Sequence, residues 1–212
     1  MKKSKQSMGS RIIFSFCIFS IVVLSCATDQ SPNKLPIIGH RDIVDGDTIY
    51  PTIRPFEFIN QANERVNNAT FKNQVTIADF FFTSCPTICP KVAQQMLRVY
   101  DKYESDERVA LISFTVDPKR DTPEKLKSYA AKLEVELPKW QFLTGDKDSL
   151  HDISADYMSI ALENPDAPGG FDHSGRLILV DQAGHVRAFC DGTAPDEVSR
   201  FLKEIDLLLN EA

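Results

Sequence analysis

The strongest constraint on the fold is a pair of apolar, β-rich runs separated by a segment with helical periodicity. The runs cover residues 75–82 and 109–116, and both are apolar enough to be buried strands. Between them, apolar residues recur at the spacing of one helix face over residues 91–103. Two buried strands joined by a helix indicate a β–α–β unit, so we expect an α/β protein.

Further elements follow along the chain and favour one domain. Thr122 is a favoured helix N-cap, and Pro123 suits the first helical position. The sequence therefore predicts an α/β fold with a mixed central sheet flanked by helices. The remaining predicted elements are a strand at residues 140–144, a helix at 148–157, a hairpin with strands at 176–180 and 186–190, and a last helix at 195–209.

The N-terminus has the features of a targeting segment. A basic stretch precedes an apolar run at residues 12–24, which is shorter than the roughly 20 residues that span a bilayer but is typical of a signal peptide. The following Leu24-Ser-Cys26 is similar to a bacterial lipobox. We therefore predict a signal peptide over residues 1–25, a lipid on Cys26 and a linker over residues 26–54; an uncleaved anchor is the alternative. Either way the domain, residues 55–212, is expected in the bacterial cell envelope, membrane-anchored and facing the periplasm.

The charge distribution argues against nucleic acid as a partner. The chain has 24 basic and 30 acidic residues, for a net charge of −6. The first 25 residues contain four of the basic residues (Lys2, Lys3, Lys5 and Arg11) and no acid, so the remainder has 20 basic and 30 acidic residues, net −10. A body this acidic repels phosphate backbones.

A pair of cysteines carries the chemistry. Cys85 and Cys89 lie in Thr83-Ser-Cys-Pro-Thr-Ile-Cys-Pro90, between the first buried strand and its helix, which is the thioredoxin-like arrangement. Four residues make about one helical turn, so the two sulfurs can face the same side. A helix N-terminus lowers thiol pKa and favours thiolate. Such a pair can bind a soft metal ion or close a redox-active disulfide; two space-filling buried cysteines are the alternative.

Two sulfurs alone would leave a metal site incomplete. The candidate third ligands are His40 in the linker, His151 in a predicted helix, His185 on the hairpin turn, and His173. His173 lies just before a strand of the same sheet, in a loop that neighbours the cysteine turn in a thioredoxin-like fold, and is the best candidate. Two thiolates and one imidazole suit Cu(I), whereas Zn(II) would want a fourth ligand or water. Chemistry alone leaves both ions open.

At these residues the sequence resembles the Sco/SenC family of copper-binding proteins, which serve cytochrome c oxidase assembly. The matching segments occur in the family's order across about residues 55–207. They are residues 83–90, Val116-Asp-Pro-Lys-Arg-Asp-Thr-Pro123, Leu143-Thr-Gly145, Asp172-His-Ser-Gly175 and Asp191-Gly-Thr193. The resemblance implies a thioredoxin-like fold and Cu(I) bound by Cys85, Cys89 and His173.

The resemblance also implies a role in loading copper. The leading interpretation is a metallochaperone, a binding protein rather than an enzyme, that delivers copper to the binuclear site of oxidase subunit II. The alternative is a membrane-tethered thiol–disulfide reductase that acts on the cysteines of that site or of another envelope protein. A thioredoxin-superfamily peroxidase fits less well, because Cys85 lacks that group's Thr-x-x-Cys motif. The copper donor, the thiol reductant and any Cu(II) binding are left open.

Two further residues have a place in these hypotheses. Asp117 ends the second strand beside the predicted site, where it would tune the thiolates or meet a partner. The alternative is that Asp117-Pro118 only ends the strand and opens a turn. Cys190 stands where the family more often has an aromatic residue, and we predict a core position at the end of a strand.

Overall fold

Seven strands form one mixed sheet at the centre of this computed structural model, which describes residues 34–211 except for the side chain of His173. The predicted signal peptide and Cys26 lie outside the described residues. The described residues contain eleven strands, seven in this sheet and four in two separate pairs. They are β1 Asp42–Val44, β2 Asp47–Ile49, β3 Glu57–Asn60, β4 Arg65–Asn67, β5 Val75–Phe81, β6 Val109–Thr115, β7 Trp140–Thr144, β8 Ala161–Glu163, β9 Phe171–His173, β10 Arg176–Val180 and β11 Val186–Asp191. The helices are α1 Cys89–Tyr103, α2 Pro123–Leu133, α3 Lys147–Asp156 and α4 Pro195–Leu209.

The centre of the sheet is the predicted β–α–β unit. The strand order is β11-β10-β5-β6-β7-β3-β4, with β5, β6 and β7 parallel and the outer strands antiparallel. Every residue of β5 and β6 is buried, which explains their continuous apolar runs. The predicted α/β, thioredoxin-like class with a mixed sheet and flanking helices is confirmed.

Aromatic clusters cover both faces of the sheet. On one face Phe80 stacks on Phe114 with their ring centroids 5.2 Å apart, and Tyr157 packs against both. On the other face Phe81 packs against Tyr129 of α2, 5.4 Å away. Alternation along β5 sends neighbouring phenylalanines to opposite faces, so one strand anchors two layers of the core.

The element boundaries differ in small ways from those predicted. Helix α1 begins at Cys89, two residues before the predicted start, so the second cysteine belongs to its first turn. The predicted N-cap of α2 is confirmed, because the Thr122 hydroxyl accepts a hydrogen bond from the Lys125 amide at 3.4 Å. The pairs β1–β2, β3–β4 and β8–β9 were not predicted, since strands of three or four residues show almost no periodicity.

Part of the segment predicted as a linker packs on the domain. The Leu35 amide donates to the Glu211 carboxylate at 2.5 Å, and the Ile38 amide donates to the Val186 carbonyl at 2.8 Å. Arg187 donates to the carbonyl of Pro36 and pairs with Glu211. Ile53 is buried, whereas the β1–β2 hairpin is exposed. Apolar side chains at residues 35, 38 and 53 explain this packing; a domain boundary at residue 54 stays a prediction.

The four helices of residues 34–211 are all short. The longest, α1 and α4, have 15 residues each, and across the described part of the chain no helix combines the length and apolarity needed to cross a bilayer.

Candidate functional site

The two cysteines follow the carboxyl end of β5, an interior strand of the sheet. Strand β5 pairs with β10 on one side and β6 on the other, and the connection to α1 leaves the sheet between them. We call residues 82–88 the cysteine loop. Ligands and reactive groups of open α/β sheets concentrate at this edge. The fold therefore puts Cys85 in the loop and Cys89 at the start of α1 where chemistry is expected.

A buried carboxylate fixes the start of the cysteine loop. Asp121 is fully buried and accepts hydrogen bonds from the Thr83 amide at 3.0 Å and the Thr83 hydroxyl at 2.5 Å. It also accepts one from the Thr115 hydroxyl at 2.6 Å, at the end of β6. One side chain thus ties the loop to the neighbouring strand. Sequence reasoning gave Asp121 no role, although its place in the Val116–Pro123 segment was a usable signal.

The two thiols contact each other but differ in acidity. Both are almost fully buried, and the Cys85 sulfur lies 3.7 Å from the Thr87 hydroxyl. Burial alone would raise the pKa of Cys85, but hydrogen bonds from the backbone and side chains of Cys89 and Thr87 outweigh it and lower the pKa. For Cys89, burial dominates and raises the pKa despite a hydrogen bond from the Phe82 backbone. Hydrogen bonds therefore favour thiolate at Cys85, whereas the raised pKa of Cys89 is opposite to the lowering expected at a helix start.

An acidic side chain lies inside the sheet near the cysteines. Asp79 is buried in β5 and accepts a hydrogen bond from Ser113, whose hydroxyl oxygen in turn accepts one from the Trp140 indole at 2.8 Å. Burial raises the pKa of Asp79 to about 7, against the effect of Ser113. The charge of Asp79 also contributes to the raised pKa of Cys89. Sequence reasoning did not single out Asp79, although it is the one acidic residue within the apolar run 75–82.

Asp117 lies directly after β6 and is nearly buried. Its carboxylate forms an ion pair with Arg120, and its amide donates to the Thr115 hydroxyl at 3.0 Å. Burial raises the pKa of Asp117, and the hydrogen bond from Arg120 opposes this shift. The residue therefore caps the turn after β6 and carries an ion pair with Arg120.

The chain on both sides of His173 packs against the cysteine loop. A Cβ atom on Gly169 would lie 2.7 Å from the Phe82 ring, and one on Gly175 would lie 3.1 Å from the Ile88 side chain. The backbone of His173 is the last residue of β9, between these two contacts. Its side chain lies outside the described part of the structure. The predicted loop position is thus a short strand, next to the cysteines in space.

The other three histidines have different surroundings. His40 is exposed and lies 3.5 Å from Asp42. His185 Nδ1 is 2.8 Å from the carbonyl oxygen of Pro51, on the turn between β10 and β11. His151 in α3 is half-buried, with Nε2 3.1 Å from the Val116 carbonyl oxygen. Among the described side chains, no group of three His, Cys, Asp or Glu residues is arranged to bind a metal.

The last cysteine of the domain is part of the core. Cys190 is buried in β11 opposite Leu177. Burial raises the pKa of its thiol to about 12, and nearby acids add to the shift. A thiol that stays protonated is a poor nucleophile and a poor metal ligand.

The fold and the cysteine pair define a thioredoxin-like protein with a dithiol at the carboxyl edge of its sheet. The model of the SCO1/SenC family matches residues 46–208, most of the chain. This protein belongs to the SCO1/SenC family.

Solved structures of the family are similar to this chain. A SCO1/SenC family lipoprotein from Bacillus anthracis is 27% identical with a TM-score of 0.69, over 76% of this chain and 96% of that one. BsSco, a family member in which a disulfide switch was identified, is 27% identical with a TM-score of 0.66, over 80% and 99%. Arabidopsis thaliana ScoI with copper bound is 25% identical with a TM-score of 0.60, over 72% and 97%.

Proposed function

We propose that this protein binds Cu(I) through Cys85, Cys89 and His173 and delivers it to the binuclear copper site of cytochrome c oxidase subunit II. The observation that carries the proposal is the convergence of two contacting thiols with the chain segments on both sides of His173. Two soft sulfur donors and an imidazole fit Cu(I), which accepts three ligands. A copper-bound relative and BsSco, described as a member of a family of oxidase assembly proteins, support this cargo and this recipient.

The three-coordination that Cu(I) accepts suits transfer rather than permanent storage. A Cu(I) ion held by three ligands at the edge of the sheet keeps one direction open for the thiolates of an acceptor. Ligand exchange could then move the ion from Cys85 and Cys89 to the acceptor without releasing it to water. The buried carboxylates of Asp117 and Asp79 would influence how readily the thiols lose their protons.

An anaerobic Cu(I) titration of the reduced full-length protein in detergent, against a competing chelator, tests the binding step. We expect one tightly bound equivalent in the wild type, loss of it in Cys89→Ser and strong weakening in His173→Ala. The matched control is His40→Ala, because His40 is exposed and precedes all of the motif segments in the sequence. A folded, reduced wild type that binds no Cu(I) would refute the proposal.

The difference in thiol acidity supports a second candidate, the thiol–disulfide reductase. The Cys85 thiolate would attack one sulfur of a partner disulfide and expel the other partner sulfur as a thiolate, which takes up a proton. Cys89 would then lose its proton and attack Cys85, which releases the second partner thiol and leaves a Cys85–Cys89 disulfide. Two electrons thus pass from the pair to the partner. Lowered pKa at Cys85 and raised pKa at Cys89 match these two roles.

The histidine separates the two candidates. His173→Ala should abolish copper transfer to an acceptor domain but leave most of the dithiol reductase rate. Cys89→Ser should accumulate a mixed disulfide on Cys85 if the reductase reaction occurs. If His173→Ala lowers both activities equally, the two functions share one mechanism and the reductase is not independent.

We also propose that the protein is anchored in the cell envelope through a lipid on Cys26, after removal of residues 1–25, and that it faces the periplasm. The lipoprotein from Bacillus anthracis supports this placement. Metabolic labelling with a fatty acid should mark the wild type, and Cys26→Ser should lose the label and the processed size. Labelling that persists in Cys26→Ser would contradict the proposal.

A further inference from the structure

The strand that bears His173 has no ladder to the central sheet. Among the described residues, β8 and β9 pair only with each other, through Ala161 with His173 and Glu163 with Phe171. The cysteines, in contrast, follow β5, an interior strand of the central sheet. The distance between the two halves of the proposed copper site is therefore set by side-chain contacts that cross from one half to the other.

Arg120 makes two such contacts, and a third contact holds its own side chain in place. Its Nε donates to the carboxylate of Asp117, just after β6, and its Nη2 donates to the Gly169 carbonyl at 3.2 Å. Its guanidinium carbon lies 5.8 Å from the centroid of the Phe171 ring. One planar cation thus joins the end of a central strand to the chain two to four residues before His173.

The segment that Arg120 contacts is the segment that touches the cysteine loop. The Phe171 ring centroid is 5.3 Å from that of Phe82, and Gly169 has a φ of +83° and fits directly against Phe82 and Pro86. A Cβ atom at Gly169 would clash with the ring, so the close approach requires glycine there. The Arg120 contacts therefore hold the segment that bears His173 in the position where it packs on the cysteine loop.

We propose that Arg120 is a positioning residue for copper: it fixes the β8–β9 segment against the cysteine loop and so places His173 to complete the site. The inference rests on the proposed Cu(I) function. Arginine suits the task because its donors point in two fixed directions, one for a carboxylate and one for a carbonyl, while its face packs on an aromatic ring. A lysine can meet Asp117 but cannot make all three contacts.

A specific pattern of effects follows. Arg120 contacts the histidine half of the site, so its loss should weaken copper binding and change the dithiol chemistry less. Residues that orient a metal ligand typically change affinity by about ten- to hundredfold when they are replaced.

The test is Cu(I) competition on the full-length protein with Arg120→Gln, Arg120→Lys and a matched control, Arg65→Gln. Arg65 also pairs with an acid, Glu57 at 2.8 Å, but on the exposed β3–β4 pair. We expect about tenfold weaker Cu(I) binding in Arg120→Gln, partial recovery in Arg120→Lys and no change in Arg65→Gln. The equilibrium between the Cys85–Cys89 dithiol and its disulfide, measured against a thiol buffer, should change less than about threefold.

A double-variant cycle distinguishes positioning from general damage. If Arg120 acts through His173, Arg120→Gln should have no further effect on Cu(I) affinity in a His173→Ala background. X-ray absorption of the copper-loaded Arg120→Gln protein should show loss of the histidine scattering while both sulfur contacts persist. Arg120→Lys, which keeps the charge beside Asp117, covers the case in which Arg120→Gln unfolds.

Three outcomes would overturn the inference. Unchanged Cu(I) affinity in Arg120→Gln would show that the contacts do not place His173. An equal loss in the His173→Ala background would show that Arg120 acts elsewhere. A wild type that binds no Cu(I) would overturn the proposed function and this inference together. The first two outcomes, seen with a wild type that binds Cu(I) tightly, would overturn the inference alone.

Discussion

The cysteine half and the histidine half of the site are built in different ways. The cysteine loop follows a strand that is paired along both edges. The buried Asp121 carboxylate accepts two hydrogen bonds from Thr83 of the loop and one from Thr115 of β6. The β8–β9 hairpin is a separate two-stranded sheet: Phe171 packs on Phe82 of the loop, and Arg120 donates to the Gly169 carbonyl just before β9. The two cysteines are therefore held by the main sheet, whereas the position of the segment that bears His173 depends on a few side chains.

The largest expected effect comes from removing the cysteine-loop attachment. Asp121→Ala leaves three buried donors without an acceptor and should lower the free energy of unfolding by about 5 kcal/mol. Asp146→Ala is the matched control, because Asp146 also accepts from an amide and a hydroxyl, both of Ser149, but at the exposed start of α3. It should cost about 1 kcal/mol. Equal losses in urea unfolding would show that Asp121 is not a special support.

The next effect concerns the acid inside β5. Asp79 has a pKa of about 7 in the folded protein against 3.8 ordinarily, because of burial, so folding favours its protonated form. Its contribution to stability is complete below about pH 4 and is lost as the pH rises through about 7, a change on the order of 4 kcal/mol. Asp79→Asn should therefore gain stability relative to the wild type between pH 4 and pH 8.

The control for this pH dependence is an acid with the opposite shift. The hydrogen bond from Arg108 lowers the pKa of Asp106 to about 2, so Asp106 stabilises the protein above its ordinary pKa and loses this contribution in acid. Asp106→Asn should lose stability relative to the wild type as the pH rises. Parallel pH profiles for the two variants would contradict the assignment at Asp79.

A smaller effect is expected from loosening the histidine half. Phe171→Leu keeps an apolar side chain but gives up the ring contact with Phe82, which should cost about 1 kcal/mol. If the hairpin opens separately from the sheet, hydrogen exchange should become about fivefold faster in β8 and β9 and stay unchanged in β5. Phe189→Leu is the control, since Arg176 also lies over its ring, at 4.7 Å, on the exposed side of β11. Faster exchange throughout the domain would mean that the two halves open together.

The smallest effect tests the acidity of Cys85. Thr87→Val removes the hydroxyl that lies 3.7 Å from the Cys85 sulfur and should raise the pKa of that thiol slightly. Alkylation of Cys85 at pH 7 should slow by about threefold, because less thiolate is present. Thr87→Ser keeps the hydroxyl and should react like the wild type. A slow Thr87→Ser variant would point to the methyl group instead of the hydrogen bond.

The sequence was sufficient to predict the strand and helix that position the two cysteines, but not the hairpin that bears His173. Residues 75–82 and 109–116 gave long apolar runs, and the position of Cys85 and Cys89 between strand and helix followed from them. The hairpin pairs strands of three residues, too short for any pattern, and its contacts join residues about 50 positions apart, as between Arg120 and Gly169 at a separation of 49. Local pattern contains no information on such contacts.

The pKa shifts of the buried groups could be predicted only in part from the sequence, for a related reason. The position of Cys89 at a helix start predicted a lowered pKa, and this prediction was wrong, because burial raises the pKa of that thiol. Burial is a property of the assembled core, and it also makes Asp79 unusual. The signal for Asp79 was visible as one charge in an apolar strand, but its partner Ser113 lies 34 positions away.

The contacts of residues 35–38 with the far end of the chain give the domain a direction. The Leu35 amide donates to Glu211, and the Pro36 carbonyl accepts from Arg187. Close to Glu211 in the sequence, the Leu209 carbonyl accepts from Arg108. The Arg108 carbonyl in turn accepts from the amide of Val75, the first residue of β5. The polypeptide therefore enters the domain at the amino edge of the sheet. The dithiol is one length of β5 away, about 23 Å for seven residues. A probe attached at residue 34 should therefore leave thiol reactivity unaltered.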